Sequence, residues 1–96
     1  MSETVANCQV TITNPAGMHA RPATMFVQLA NRFQSSVEII KDDERVDGKS
    51  ILALLMLAAE QGSELSIEAR GPDADEAARS LSELVEQGFA EDQQVN

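Results

Sequence analysis

The chain passes from a strand pattern to a helix pattern within residues 5–23, which read VANCQVTITNPAGMHARPA. Apolar and polar residues alternate over residues 5–13, a period typical of a strand with one buried face. The Asn-Pro-Ala-Gly sequence that follows is turn chemistry and ends the strand. Beyond it the apolar residues recur at helical spacing, which predicts a helix over residues 20–33. Pro22 lies in the first turn of that helix, where a missing backbone N–H costs no hydrogen bond.

The rest of the chain continues to alternate between strands and helices. The predicted elements are a strand at 36–41, a polar turn at 42–44, a short strand at 45–47, an apolar helix at 50–60, a strand at 64–70 and a last helix that ends near Gly88. We expect Gly62 to end the apolar helix. Asp73 and Glu76 form a capping-box pattern at the start of the last helix. Residues 91–96 are expected to form a flexible tail after a single domain that spans residues 1–90.

Two of the strands alternate cleanly between apolar and polar residues. A sheet with one solvated face is typically antiparallel, and helices cover its other face. The element order therefore predicts an α+β fold: an open-faced two-layer β-sandwich of order βαββαβα, with a four-stranded antiparallel sheet and three helices on one face. The same order contains a βαββαβ core, so a ferredoxin-like topology is the alternative.

The charge and the cysteine content exclude several classes of function. The 96 residues include 7 Lys and Arg against 16 Asp and Glu, a net charge of −9, whereas nucleic-acid binding requires a basic face. The single cysteine, Cys8, cannot form an internal disulfide and is expected to be a buried small apolar residue. No signal peptide is visible, and the longest apolar run, residues 51–59, is too short to cross a bilayer. We therefore expect a cytoplasmic protein that binds neither nucleic acid nor membranes.

The one histidine, His19, lies between a glycine-containing turn and the first predicted helix. Taken alone, a histidine at this place is more often a cap or a surface residue. A helix N-terminus, however, presents N–H groups and a positive partial charge that suit an anion, and Arg21 can hydrogen-bond a phosphate in the same space. A neutral imidazole is a nucleophile that needs no dedicated base. The bond between its nitrogen and a phosphoryl group is labile, so the group is easily passed on. No second histidine or metal-ligand cluster accompanies His19, so we expect neither a metal nor a cofactor.

Residues 17–23, GMHARPA, resemble the active-site signature of the HPr family, the histidine-containing phosphocarrier proteins of the bacterial phosphotransferase system. The resemblance covers nearly the whole chain, including the segment GKSI at 48–51 before an apolar helix. It implies that Nδ1 of His19 accepts a phosphoryl group from enzyme I, which phosphoenolpyruvate charges, and that His19 donates it to an EIIA domain. It also implies that Arg21 steadies the phosphoryl group. The residues of the implied active-site loop are Asn14, Gly17, Ala20 and Pro22.

Ser50 precedes the apolar helix, where serine is favoured as an N-cap for structural reasons alone. The resemblance adds a second interpretation, because HPr kinase/phosphorylase phosphorylates a serine at this position in some members of the family. A phosphoserine adds a charge of about −1.5 to −2, which should repel an acidic partner face. Both interpretations stay open at this point.

The apolar helix that follows Ser50 is either core or part of a docking surface beside His19. Exposed apolar residues mark docking sites, and methionine makes such surfaces adaptable. For any single residue the core is the better interpretation, whereas an exposed patch is favoured for Ile51 and Leu55 as a pair. The residues of the expected docking surface are Met18, Ile51, Leu52, Leu55 and Met56.

The resemblance implies a monomeric phosphoryl carrier that docks transiently on enzyme I and EIIA, and not an enzyme acting on a metabolite. A second hypothesis is a regulatory phosphocarrier of the nitrogen-type branch, because residues 54–57 and 88–92 are similar to that branch. The pair Lys49-Ser50 is more similar to carriers that are regulated at serine. A third hypothesis is a ferredoxin-like domain that binds a small ligand.

Overall fold

A computed structural model describes residues 4–93 of the chain. Its strands are β1 (Val5–Thr11), β2 (Ser36–Lys41), β3 (Glu44–Asp47) and β4 (Glu64–Arg70). Its helices are α1 (Ala20–Ala30), α2 (Ile51–Leu57) and α3 (Ala74–Glu86), followed by a 3-10 segment, Gly88–Gln93. The expected tail at 91–96 thus begins within the 3-10 segment, and its residues 94–96 lie outside the described part of the chain.

The four strands form one sheet of order β1-β4-β2-β3, in which all neighbouring pairs are antiparallel. In register, Cys8 of β1 lies opposite Ile67 of β4, and Ile67 lies opposite Ile39 of β2. The predicted α+β fold with a four-stranded antiparallel sheet is confirmed. The ferredoxin-like alternative is excluded, because that topology places the first strand inside the sheet and β1 lies at its edge.

The helices pack on the apolar face of the sheet, and the core between the two layers is mainly aliphatic. Phe26 and Phe89 are its largest buried side chains, and Ile39, Ile67 and Leu81 are fully buried beside them. Full burial of a side chain of this size stabilises the fold by roughly 1.5–3 kcal/mol. Cys8, expected to be buried, is only partly so and packs against a smaller cluster of alanines near β1 and α3.

Two helices are shorter than the apolar pattern predicts. α1 ends at Ala30 and not at residue 33, and the cap residue Asn31 donates its N–H to the Val27 carbonyl at 2.9 Å. α2 ends at Leu57, because Ala58 adopts a left-handed backbone with φ 56°. The prediction that Gly62 ends this helix is therefore wrong. Gly62 instead donates its N–H to Ile12 at 2.8 Å, in the loop that leads into β4.

Asp73 lies at the predicted N-cap position of α3, but the capping-box prediction is wrong. Its carboxylate makes no hydrogen bond to the first turn of the helix. It accepts hydrogen bonds from the N–H of Gln34 at 2.9 Å and from the N–H and hydroxyl of Ser35 at 2.9 and 2.5 Å. The hydroxyl bond is the main reason that the pKa of Asp73 is lowered. Asp73 thus joins α3 to the loop between α1 and β2.

Within residues 4–93, none of the helices has both the length and the apolar composition that a membrane crossing requires.

Candidate functional site

His19 is the N-cap residue of α1, as its sequence position predicts. Its backbone is extended, with φ −96° and ψ −169°, and its side chain makes no capping hydrogen bond to the helix. Its carbonyl oxygen accepts the first helical hydrogen bond, from Ala23 at 2.9 Å. The imidazole is partly exposed. The helix therefore begins at a nucleophilic side chain that solvent and a partner can reach.

Asn14 and Gly17 close the loop that leads to His19. The Asn14 side chain is fully buried, and its Nδ2 donates to the Gly17 carbonyl at 2.8 Å. The N–H of Gly17 donates back to the Asn14 carbonyl at 3.1 Å. Gly17 has φ +71°, a left-handed conformation that glycine adopts without strain. This double closure fixes the direction from which the chain enters α1.

The loop is also tied to the segment after α2. The N–H of Met18 donates to the Ala59 carbonyl at 2.8 Å. A Cβ atom at Gly17 would collide with that same carbonyl oxygen and would lie 3.0 Å from Cα of Glu60. The close approach of the two segments therefore needs glycine at position 17, a requirement that the sequence alone did not show.

The prediction that Met18 belongs to a docking surface is wrong. Its side chain is only 4% exposed and is part of the main core cluster. The backbone bond from Met18 to Ala59 draws the residue inward, so its side chain anchors the loop instead of meeting a partner.

The first turn of α1 provides the electrostatics of an anion site. Arg21 and Ala20 are exposed, whereas Pro22 is buried and fixes the turn against the core. The first turn holds no acidic residue that would oppose a bound anion. The N–H groups at the start of a helix and its positive partial charge favour a negative group there. An anion bound at this helix end would thus meet the positive end of α1.

α2 exposes an apolar patch, which consists of Ile51 (39% exposed), Leu52 (67%), Leu55 (36%) and Met56 (72%). Leu54 and Leu57 of the same helix are buried. The interpretation of Ile51, Leu52, Leu55 and Met56 singly as core residues is therefore wrong, because all four are open to solvent. The exposure expected of Ile51 and Leu55 as a pair is confirmed. The patch therefore contains four of the five residues expected to form the docking surface, and Met18 is the one that it lacks.

Ser50 is the N-cap of α2, as predicted from the sequence. Its Oγ accepts a hydrogen bond from the N–H of Ala53 at 3.1 Å, and the residue is partly exposed. Its neighbour Lys49 donates from Nζ to the Phe33 carbonyl at 2.9 Å, just beyond the end of α1. No local pattern predicts this lysine contact, because the two residues are distant along the chain.

The acidic residues of the β2–β3 turn, Asp42 and Asp43, are exposed. Among residues 4–93 no group of three or more His, Cys, Asp and Glu side chains is arranged to hold a metal ion.

Residues 6–87 match the protein family described as the PTS HPr component phosphorylation site. The chain belongs to the HPr family. This is a phosphocarrier family of the phosphotransferase system. The match includes His19, Arg21 and Ser50, so the three residues singled out for their chemistry all lie within the HPr region.

Curated and solved members of the HPr family are similar over most of the chain. The phosphocarrier protein HPr of Neisseria meningitidis is 44% identical over 82 residues, which are 85% of this chain and 92% of that protein. The phosphocarrier protein NPr of Proteus mirabilis is 46% identical over 86 residues, 88% of this chain and 94% of that one. A crystal structure of HPr from Thermoanaerobacter tengcongensis matches with a TM-score of 0.86 at 38% identity, covering 90% of this chain and 97% of that one.

Proposed function

We propose that this member of the HPr family carries phosphoryl groups on Nδ1 of His19. Enzyme I, charged by phosphoenolpyruvate, is the donor, and an EIIA domain is the acceptor. The observation that carries the proposal is the position of a partly exposed His19 at the N-cap of α1, two residues before an exposed Arg21. In each transfer a phosphorus–nitrogen bond forms on one protein as the phosphoryl group leaves the other, so the carrier is regenerated unchanged.

Arg21 and the first turn of α1 stabilise the phosphoryl group on His19. A guanidinium donates well-directed hydrogen bonds to phosphate oxygens, and the helix terminus adds a positive partial charge. Asn14 and Gly17 hold the imidazole at this helix end through the two hydrogen bonds that close the loop. Ala20 and Pro22 complete the turn, the first as an exposed small residue and the second as a buried anchor.

The apolar patch of α2 is the proposed docking surface for enzyme I and EIIA. Its four residues are exposed in a protein whose remaining large apolar side chains are mostly buried. A relay needs complexes that form and separate quickly, which small interfaces permit. We propose that the protein acts in the cytoplasm as a monomeric carrier and does not itself convert a metabolite.

Ser50 is the proposed site of regulation, through phosphorylation by an HPr kinase/phosphorylase. Its Oγ accepts the N–H of Ala53 and lies directly before Ile51 of the apolar patch. A phosphate there adds about −1.5 to −2 charges at the edge of the patch, which opposes an acidic partner face. Because a serine phosphate is a stable ester, it acts as a switch and not as part of the relay.

Incubation of the purified chain with enzyme I and radiolabelled phosphoenolpyruvate tests the carrier function. We expect an acid-labile label on His19 that a matching EIIA domain then removes. A chain that acquires no acid-labile label would contradict the carrier function.

A regulatory role in the nitrogen-type branch is the second candidate, favoured by the 46% identity to the Proteus mirabilis protein named NPr. Transfer rates from the phosphorylated chain to a sugar-type and a nitrogen-type EIIA distinguish the two roles. Faster transfer to the nitrogen-type acceptor would establish the second.

A further inference from the structure

β1 is an edge strand of the sheet. At every second residue of β1, the backbone N–H and C=O groups form no hydrogen bond to β4. Its flanking hydrogen bonds run from Gly71 N–H to Thr4 carbonyl and from Ile12 N–H to Ser63 carbonyl, both at 2.9 Å. The antiparallel pairing between them is continuous. Along such a ladder, residues that exchange hydrogen bonds with the partner alternate with residues that do not. Thr4 and Ile12 each bond to a residue that flanks β4, so the even-numbered residues between them bond to β4 as well. The N–H and C=O groups of the odd-numbered residues therefore point away from β4; these residues are Val5, Asn7, Gln9 and Thr11.

These four outward-facing residues are accessible. Each is exposed, with Val5 at 46%. Within the described residues 4–93, none of their backbone groups bonds to another segment. An edge strand of this kind presents a row of donors and acceptors that a further strand can satisfy.

The two edges of the sheet differ in how they are protected. Proteins usually block an edge with charged residues, proline, bulges or a short strand. β3, the opposite edge, has only four residues, of which Glu44, Arg45 and Asp47 are charged. Residues 5–13, by contrast, contain no charged residue, no proline and no glycine. β1 thus lacks the features that usually block an edge.

The surroundings of this edge are acidic. A cavity of about 330 Å³ at the C-terminal end of β1 is lined by Thr11 and Thr13 together with the carboxylates of Glu64 and Glu86. A second depression of about 210 Å³ on the solvated sheet face shares Glu64 and adds Asp42. Among the residues that the structure describes, no lysine or arginine lines either cavity. A second copy of the chain, with its net charge of −9, would be repelled here.

We propose that the free edge of β1 binds an extended, basic segment of a partner protein as a fifth strand of the sheet. The outward N–H and C=O groups supply main-chain hydrogen bonds, as in other cases of strand addition. The carboxylates of Glu64 and Glu86 select segments that carry lysine or arginine at alternating positions, because complementary charge determines which partner is accepted. This binding does not require a phosphoryl group on His19, so it is tested separately from the carrier function.

The binding test uses a capped seven-residue peptide of alternating lysine and threonine, with a peptide of alternating glutamate and threonine as the matched control. Nuclear magnetic resonance of the isotope-labelled full chain follows its amides during each titration. We expect the lysine peptide to shift the amide signals of Val5, Asn7, Gln9 and Thr11 and to slow their hydrogen exchange. No shift in β1 at millimolar peptide, or equal binding of the glutamate peptide, would overturn the proposal.

Two substitutions of Gln9 distinguish what its backbone N–H contributes to peptide binding from what its side chain contributes. Gln9→Pro removes an outward N–H without removing a bond to β4, whereas Gln9→Ala keeps that N–H. We expect the proline variant to bind the lysine peptide about tenfold more weakly and the alanine variant to bind within about twofold of the original chain. Equal binding by a folded proline variant contradicts strand addition.

A charge variant decides the question even if Gln9→Pro does not fold. The double variant Glu64→Gln, Glu86→Gln should weaken binding of the lysine peptide about tenfold at low salt and reduce its salt dependence. The control, Glu44→Gln with Asp47→Asn, alters the same number of charges in β3, at the opposite edge, and should leave binding unchanged. Equal loss in both double variants contradicts the proposal. Protection of β1 amides that rises with protein concentration in the absence of peptide would identify a second copy as the occupant and overturn it as well.

Discussion

The backbone N–H of Met18 lies 2.8 Å from the carbonyl oxygen of Ala59, and this hydrogen bond joins the loop before His19 to the segment after α2. Since α2 carries the exposed Leu52 and Met56, the bond also ties the loop before His19 to the end of the helix that bears the apolar patch. Under the proposed function, a partner that docked on the patch would meet the His19 loop in a constant arrangement. Pre-organisation of this kind speeds a transfer between two proteins.

Gly17→Ala should disturb this connection. The new Cβ would collide with the Ala59 carbonyl, and φ at this position is +71°. We expect a loss of roughly 1–3 kcal/mol in the free energy of unfolding and slower phosphorylation by enzyme I. Gly62→Ala is the control, because φ there is +92° but nothing lies within 4 Å of the added atom. Urea denaturation and transfer kinetics of both variants provide the comparison, and equal effects would contradict the collision.

Ser50 variants separate capping from regulation. Ser50→Ala removes the acceptor for the Ala53 N–H and should cost about 1 kcal/mol of stability. Ser50→Asp keeps an acceptor at the helix start, so the fold should remain stable, while the added charge lowers the rate of transfer from enzyme I. Ser50→Asn, a neutral cap, should behave as the original chain. If Ser50→Asp transfers at the original rate, Ser50 is not a switch.

The apolar patch should matter for docking and little for stability. Leu52 and Met56 are 67% and 72% exposed, so Leu52→Ser with Met56→Ser should change the unfolding free energy by about 0.5 kcal/mol or less per site. The KM of enzyme I for the chain should rise several-fold, because a desolvated apolar contact is lost. Leu54→Ala, at a fully buried position of the same helix, should instead cost about 2–5 kcal/mol. An unchanged KM in the double variant would remove the patch from the interface.

Asp73 should give the stability a pH dependence. Hydrogen bonds from Ser35, foremost its hydroxyl, and from the N–H of Gln34 hold the pKa of Asp73 below its ordinary value. The folded state therefore favours the carboxylate, and this contribution is complete above the ordinary carboxyl pKa and is lost as the pH falls through the lowered value. The difference in unfolding free energy between the original chain and Asp73→Asn should be constant from about pH 5 to 7 and shrink below about pH 4.

Asp75→Asn is the matched control for that pH series. Asp75 is an exposed residue in the first turn of the same helix. Its substitution should alter stability much less at neutral pH. A difference in unfolding free energy between the original chain and Asp73→Asn that stays constant at all pH values would contradict the prediction. It would show that the three donors do not stabilise the charged carboxylate.

The sequence predicts those parts of the fold in which one face of an element is buried. β1 and β4 alternate because only one side of the sheet is covered, so their pairing partners, such as Cys8 and Ile67, lie in matching positions. The end of α2 is not predictable in this way, because Ala58 takes a left-handed backbone that its residue type does not announce. The partners of Asp73 are equally hidden, since Ser35 is 38 positions away along the chain.

The candidate site, too, is only partly predictable from the sequence. His19 and Arg21 are recognisable because their chemistry is concentrated in a few consecutive residues at a helix start. The burial of Met18 is not recognisable from the sequence, because it depends on a hydrogen bond to Ala59, forty-one positions away. Contacts between distant segments decide which apolar residues of a loop face inward, and a local pattern does not contain them.

The most direct measurement is the transfer of radiolabel from phosphoenolpyruvate, through enzyme I, to the original chain and to His19→Ala. Because the imidazole is partly exposed, the variant should keep the unfolding midpoint of the original chain within a few degrees. The account predicts an acid-labile label on His19 of the original chain and none on the folded variant. A folded His19→Ala chain that still accepts the label, or an original chain that never acquires it, would contradict the account.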